Sequence, residues 1–287
     1  MEIFGKICYY EISSLLLSRS VNVETKYIEI DKDIRLAYIE KYNCDSKVGV
    51  ILIHGLAEHK GRYEYFLKKV YDMKISVFAI DIRGHGESGG ERGDIRDFND
   101  YITDINCFVK KIRSEYKDLK FALLGHSLGG LIATGYVEEF ECIDFLVLSS
   151  PLLTVPKIAS LLKVIPYKLL NFIKIKKRHS ESPEMLAYGY ADPLASNYFS
   201  IRLLGMIFDQ GISLVLSKLQ NIQIPVLLLG GKLDPLIQTS NFNNILKKFG
   251  SKDKKLIIYD NVKHRLFQSE VKDDVIADMV LWINQRV

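Results

Sequence analysis

The chain has 287 residues, of which 48% are hydrophobic and 26% are charged, as is typical of a folded globular protein. Its net charge of +4 is small for this length and does not favour nucleic acid as a partner. The printed sequence has no run of 18 apolar residues, so it predicts no membrane-spanning helix.

Residues 1–22 contain short apolar runs that Glu11 interrupts, and no small-x-small cleavage pattern follows them. We therefore expect an N-terminal extension that packs on the body rather than a signal peptide. Contact of this extension with a membrane is a less favoured alternative. The four cysteines have neither paired nor metal-type spacing, which favours free thiols in a reducing cytoplasm; they are Cys8, Cys44, Cys107 and Cys142.

Strand-type and helix-type segments alternate along the first half of the chain. Residues 26–30 and 35–42 alternate apolar and polar side chains around a turn, which predicts a hairpin at a sheet edge. A continuous apolar run such as 48–53 indicates a strand that is covered on both faces. Periodicity predicts helices at 62–73, 97–116 and 128–140. It predicts strands at 76–80, 121–124 and 145–148.

The alternation stops at Pro151 and resumes at Pro225. Alternation of this length predicts an α/β fold, a mostly parallel sheet with helices on both faces. We expect this core to comprise residues 23–151 and 220–287. Residues 152–219 have helical spacing throughout and are predicted to be a helical insertion. The segments predicted after it are strand 226–229, helix 239–249, strand 255–259 and helix 271–285.

Residues 125–129 read G-H-S-L-G and place Ser127 between a predicted strand and a predicted helix. A serine at such a turn is the nucleophile elbow of the α/β-hydrolase fold. Glycines suit the turn because it is too tight for neighbouring β-carbons, and the helix behind it offers free N–H groups to an oxyanion. The alternative, a glycine-rich turn with an idle serine, is disfavoured because other parts of a hydrolase site follow in order.

A nucleophilic serine needs a base, and the base needs an orienting acid. In this fold the acid and then the histidine stand on loops after later strands. Asp234 follows the predicted strand 226–229 and His264 follows 255–259, which predicts the triad Ser127–Asp234–His264. Asp260 is a second conceivable acid, disfavoured because it shares a loop with His264. A turn-forming Asp-Pro and a surface histidine are the non-catalytic interpretations.

An oxyanion hole needs two backbone N–H donors. The order of elements assigns them to Leu128, which follows the serine, and to Leu56 in the loop after the first parallel strand. Residues 84–89 match G-x-G-x-x-G, but no helix opens at the third glycine, so we predict no dinucleotide cofactor. The sequence contains neither H-E-x-x-H nor C-x-x-C, and we predict no metal site.

Three further motifs extend the pattern beyond the elbow. Residues 54–63, HGLAEHKGRY, look like H-G-x-x-E-H-x-x-R-Y, and residues 81–88, DIRGHGES, look like D-x-R-G-H-G-x-S. With residues 190–194, YADPL, they make the chain resemble the monoacylglycerol lipase and lysophospholipase group of α/β-hydrolases. The resemblance implies a serine ester hydrolase with the triad and oxyanion donors named above and a cap at 152–219. Arg265 departs from the glutamate that often follows the catalytic histidine of that group.

The predicted cap is relevant to the identity of the substrate. The resemblance implies that the substrate is a single-chain lipid ester such as a monoacylglycerol or lysophospholipid. An apolar helical stripe is followed by the basic run 174–179. In one interpretation the stripe packs on the core and the basic run faces solvent. In the other, the apolar surface lines an acyl tunnel or contacts a membrane or micelle surface peripherally, and the lysines bind anionic headgroups. The stripe consists of Ile158, Leu161, Leu162 and Ile165.

Two other functions remain open. A proline iminopeptidase-type aminopeptidase usually carries Gly-Pro-Gly after His-Gly, which is missing here, but its substrate's amino group could be bound by Glu181, Glu184 or Asp192 in the cap. A non-catalytic binding protein on the same fold is disfavoured because such proteins tend to lose triad members. The oligomeric state is left open.

Overall fold

The computed structural model describes residues 24–140, 142–154, 165–176 and 192–287. Several predicted features lie outside these ranges. They are the N-terminal extension at 1–22, the stripe positions Ile158, Leu161 and Leu162, the cap carboxylates Glu181 and Glu184, and Cys8.

The described residues contain ten strands, which are β1 (Lys26–Glu29), β2 (Arg35–Lys41), β3 (Val48–Ile53), β4 (Ser76–Ile80), β5 (Lys120–His126), β6 (Phe145–Ser149), β7 (Lys174–Lys176), β8 (Tyr198–Ser200), β9 (Val226–Gly231) and β10 (Lys254–Tyr259). Eight of them form one sheet in the order β1-β2-β4-β3-β5-β6-β9-β10. The hairpin β1–β2 lies at one edge, and β2 runs antiparallel to β4. The strands from β4 to β10 in that order are parallel. The predicted α/β fold with a mostly parallel sheet is therefore confirmed.

The helices of the same part of the chain are α1 (Glu64–Asp72), α2 (Asn99–Glu115), α3 (Leu128–Glu139), α4 (Ile201–Gly205), α5 (Ile212–Leu216), α6 (Phe242–Lys248) and α7 (Lys272–Asn284). Helix α1 begins later than predicted, because residues 60–63 form a 3-10 turn capped by the ring of His59. None of the helices in the described ranges is long and apolar enough to cross a membrane.

The sheet separates two hydrophobic layers. Helices α1 and α7 pack on one face, where they meet Val50 and Leu52 of β3. Helices α2, α3 and α6 pack on the other face, in the hydrophobic layer that contains Ile51 and Ile53. Successive side chains of a strand point to opposite faces, so the fully apolar β3 supplies both layers. Because helices cover both faces of the sheet, functional residues of these strands can be reached only at the strand ends.

The stretch between β6 and β9 differs from the prediction of helical structure throughout. Strands β7 and β8 pair antiparallel, with Ile175 opposite Phe199. Helices α4 and α5, joined by a π-helical segment at Met206–Gly211, follow β8. Each of the two strands has three residues, which is too short for alternation to appear in the sequence.

Candidate active site

The turn at Ser127 joins β5 to α3 directly. Ser127 has φ 53° and ψ −114°, a left-handed conformation that costs a non-glycine residue about 1–3 kcal/mol. Backbone hydrogen bonds hold it there: its N–H donates to the Ser149 carbonyl at 3.0 Å, and its carbonyl accepts from Gly130 at 3.0 Å and Leu152 at 3.0 Å. The strain is therefore stabilised from both sides of the turn.

The two glycines of the elbow are required by close backbone contacts. A β-carbon on Gly125 would lie 2.3 Å from the Gly129 carbonyl oxygen. A β-carbon on Gly129 would lie 2.2 Å from the Ile53 carbonyl oxygen at the end of β3. Side chains at either position would push α3 away from the sheet and displace Ser127.

The loops after β9 and β10 bring Asp234 and His264 together. His264 Nδ1 lies 2.7 Å from Asp234 Oδ2, and the Asp234 side chain is fully buried. Its other oxygen accepts the backbone N–H groups of Leu236 at 2.8 Å and Ile237 at 3.0 Å. Burial alone would raise the pKa of Asp234, but the hydrogen bond to His264 and the two N–H donors outweigh it and lower the pKa. Asp234 is thus an anionic acceptor for the Nδ1–H of His264.

The second conceivable acid, Asp260, stands elsewhere. Its side chain is 77% exposed and pairs with Lys232 at 2.7 Å. Such a pair in water contributes little to stability and leaves the carboxylate solvated. Asp234, not Asp260, is therefore the carboxylate in contact with His264.

The predicted oxyanion loop, base and nucleophile converge at one end of the sheet. The rings of His126 and His264 are 4.8 Å apart, and His126 directly precedes Ser127. A β-carbon on Gly55 would lie 3.3 Å from the β-carbon of Ser127, which places the Leu56 loop against the elbow. Leu128 opens α3, so its N–H is among those with no acceptor inside the helix.

His54 joins the predicted oxyanion loop to the loop after β4. Its Nε2 accepts from the Ile82 N–H at 3.1 Å, so Nδ1 carries the proton and donates to the Gly55 carbonyl at 2.8 Å. Burial lowers the pKa of His54, although Asp81 lies 3.8 Å away and opposes the change. A neutral His54 therefore orients the peptide that precedes Leu56. The sequence motif contains this histidine, but its spacing alone does not reveal the contact.

The glycine-rich loop at 84–89 is filled by protein atoms. The Asp81 carboxylate accepts from the Lys60 N–H at 2.6 Å, the Lys60 ammonium at 2.9 Å and the Glu87 N–H at 2.8 Å. A β-carbon on Gly86 would lie 2.0 Å from this carboxylate. The loop thus encloses its own anion where a dinucleotide site would hold a phosphate.

Comparison with known proteins identifies the family of the chain. The family model described as "Serine aminopeptidase, S33", a hydrolase family, matches residues 45–271. Human monoglyceride lipase is 31% identical over 255 residues, which are 84% of this chain and 83% of the human protein. The chain belongs to the monoacylglycerol lipase-like α/β-hydrolases.

Solved structures of this group share the fold. The crystal structure of Paleococcus ferrophilus monoacylglycerol lipase is 25% identical, covers 87% of this chain and 97% of its own, and superposes with a TM-score of 0.73. A soluble variant of Saccharomyces cerevisiae monoglyceride lipase, solved with a substrate analogue, superposes with a TM-score of 0.79 at 22% identity. The match covers 93% of this chain and 96% of the yeast chain. The predicted fold class and ester hydrolase class are confirmed.

Within this monoacylglycerol lipase-like chain, Asp192 has a role that the sequence analysis missed. Its Oδ2 accepts from His59 Nε2 at 2.8 Å and from Arg62 Nε at 2.9 Å, while Oδ1 accepts the Leu194 N–H at 3.0 Å. Both oxygens are engaged, which disfavours Asp192 as the ligand for an aminopeptidase substrate's amino group. The segment after residue 191 is instead tied to the loop that carries Leu56.

Proposed function

We propose that the protein hydrolyses monoacylglycerols, with Ser127, Asp234 and His264 as its catalytic triad and Leu56 and Leu128 as oxyanion donors. The observation that carries the proposal is the buried 2.7 Å contact of Asp234 with His264, beside a strained serine at the start of a helix. The relatives named monoglyceride lipase support the substrate class. A lysophospholipid is the alternative substrate of the same chemistry.

The mechanism follows from the tautomer of His264. Because Nδ1–H donates to Asp234, Nε2 holds the lone pair that takes the Ser127 proton as Oγ attacks the ester carbonyl carbon. The N–H groups of Leu56 and Leu128 stabilise the resulting oxyanion. His264 then protonates the departing glycerol oxygen, leaving an acyl-serine. Water attacks that ester, gives its proton to Nε2, and the fatty acid leaves as the proton returns to Oγ.

We propose the same division of the chain that the sequence predicts, with residues 23–151 and 220–287 as the catalytic core and 152–219 as a cap. The segment after residue 191 supports this, because Asp94 binds both Ser200 and Arg202, and Arg92 donates to the Leu194 carbonyl at 2.9 Å. These contacts hold the described part of the proposed cap against the core loop that carries Arg92 and Asp94.

A panel of esters tests the proposed substrate. We expect kcat/KM for monoacylglycerols to rise from acetyl to oleoyl, by about fourfold per methylene until the acyl site is full, because each buried methylene contributes about 0.8 kcal/mol. Initial rates on monoacylglycerols, lysophosphatidylcholine and a proline amide compare the candidates. Turnover of the acetyl ester alone, or of the proline amide, would contradict a lipid substrate.

We also propose that the enzyme contacts its lipid through a cap-edge patch, defined as Leu169, Phe172, Ile173, Ile175 and Tyr198. Leu169 and Phe172 are each 72% exposed. Three exposed lysines border these apolar side chains, which is the combination that binds anionic lipid surfaces; they are Lys168, Lys174 and Lys176.

Loss of the patch should weaken lipid binding and spare the chemistry. Changing Leu169→Ser together with Phe172→Ser removes two side chains worth about 1.5–3 kcal/mol each on burial, so affinity should fall by at least tenfold. Co-sedimentation with phosphatidylcholine–phosphatidylglycerol vesicles measures this. Leu281→Ser on α7, where Leu281 is 56% exposed, is the matched control. Equal binding by all three proteins would contradict the patch.

We propose a cytoplasmic location for the enzyme. Cys44, Cys107 and Cys142 are free thiols in the described part of the chain. Thiols of this kind persist where glutathione and thioredoxin keep the compartment reducing. Fractionation of cells should recover the protein in the cytosolic fraction, with a portion on membranes that depends on Phe172.

A further inference from the structure

Glu58 is a buried carboxylate in the loop after β3 that carries the predicted oxyanion donor Leu56. It is 2% exposed. Its Oε2 accepts from the Gly55 N–H at 3.2 Å and from the Tyr63 hydroxyl at 2.7 Å. Gly55 directly precedes Leu56, so this oxygen holds the peptide chain one residue before the proposed oxyanion donor.

The other oxygen of Glu58 reaches the loop that carries the base. Glu58 Oε1 lies 3.1 Å from Arg265 Nε, and the two side chains are 3% and 13% exposed. Arg265 directly follows His264, which is anchored on its other side by Asp234. One carboxylate therefore joins the loop after β3 to the loop after β10.

The charge of Glu58 is maintained by this partner. Burial alone would raise the pKa of Glu58, but Arg265 and the Tyr63 hydroxyl outweigh burial and lower the pKa well below its usual range. A buried carboxylate that loses its cation is left uncompensated, whereas loss of both charges together is tolerated far better. The ion pair is thus an integral part of the site and not a solvated surface contact.

We propose that Glu58 and Arg265 are positioning residues that hold the oxyanion donor Leu56 and the base His264 at a fixed separation around Ser127. This role requires no contact between either side chain and the substrate. The inference rests on the proposed ester hydrolase mechanism. It also gives a role to Arg265, the residue at which the sequence departs from the related group.

The variants Glu58→Gln, Arg265→Met and the double variant test the pair. A misplacement of about 1 Å costs about 10²-fold in rate, so each should show kcat for monoacylglycerol lowered by about 10²-fold with KM little changed. Arg265→Lys keeps the charge and should recover part of kcat. The double variant should recover much of the thermal unfolding midpoint lost in Arg265→Met, because it leaves no Glu58 carboxylate buried without its cation, but its kcat should stay low.

Rates are expressed per Ser127 labelled at end point by a fluorophosphonate, which corrects for unfolded protein. Asp45→Asn, Lys74→Met and their double variant are matched controls, because that pair is 3.2 Å apart with both side chains 67% exposed. These controls should keep kcat. Return of kcat with the unfolding midpoint in the double variant of Glu58 and Arg265 would show a merely structural pair and overturn the proposal, as would a change in KM alone.

The rate of fluorophosphonate labelling separates this inference from the proposed substrate. Labelling uses the oxyanion donors and the base but needs no lipid. A wild-type enzyme that labels fast and ignores every lipid ester contradicts monoacylglycerol as substrate. The ratio of labelling rates between variant and wild type still decides the pair: about 10²-fold slower labelling supports it, and equal rates overturn it.

Discussion

Ser127→Ala is expected to lower kcat for monoacylglycerol hydrolysis by about 10⁶-fold, the loss seen when a serine hydrolase loses its nucleophile. In the proposed mechanism the Ser127 hydroxyl forms the acyl-enzyme, and no covalent intermediate is available without it. The substitution removes one oxygen and leaves the backbone hydrogen bonds of residue 127 with Ser149, Gly130 and Leu152 in place. The elbow should therefore keep its geometry while the chemistry is lost.

Initial-rate assays of ester hydrolysis and fluorophosphonate labelling together measure the loss of activity in Ser127→Ala. The variant should neither turn over ester nor acquire label, and its unfolding midpoint should stay near that of the wild type. Ser114→Ala is the matched control, because Ser114 lies on the exposed face of α2 and donates to the Lys111 carbonyl at 2.7 Å. Retained turnover in Ser127→Ala beyond the trace left by the oxyanion donors would assign the nucleophile to another residue.

The parts of the fold that could be predicted are those with local causes. Inner strands such as β3 are continuous apolar runs, and the elbow glycines flank Ser127 within a five-residue motif. Asp234 could be preferred over Asp260 because it follows its own strand, and the structure places Asp234 beside His264 and Asp260 in solvent.

The parts that could not be predicted depend on contacts between distant residues. The ion pair of Glu58 with Arg265 and the contact of His59 with Asp192 each join residues far apart in the chain. The local sequence around a charged residue does not identify the distant residue with which it pairs. The pairing of β7 with β8 was missed for a related reason, since three-residue strands have too few side chains to show a period.

Asp234→Asn is expected to lower kcat by about 10⁴-fold, through the tautomer of His264 and not through loss of the residue's position. Two backbone N–H groups, from Leu236 and Ile237, hold Oδ1. In the amide, the carbonyl oxygen must take that place, because the NH₂ group cannot accept a hydrogen bond. The NH₂ group then faces Nδ1 of His264 and donates to it, so the ring proton moves to Nε2.

A histidine with its proton on Nε2 cannot accept the proton of Ser127, so acylation should fail while the fold and the substrate affinity persist. We expect an unchanged KM, an unfolding midpoint close to that of the wild type, and kcat reduced as stated. Asp260→Asn, in the loop that carries His264, is the matched control and should keep full activity because its carboxylate pairs with Lys232 and is 77% exposed. The reverse outcome, an inactive Asp260→Asn beside an active Asp234→Asn, would transfer the role of orienting acid to Asp260 and would require the loop to rearrange during turnover.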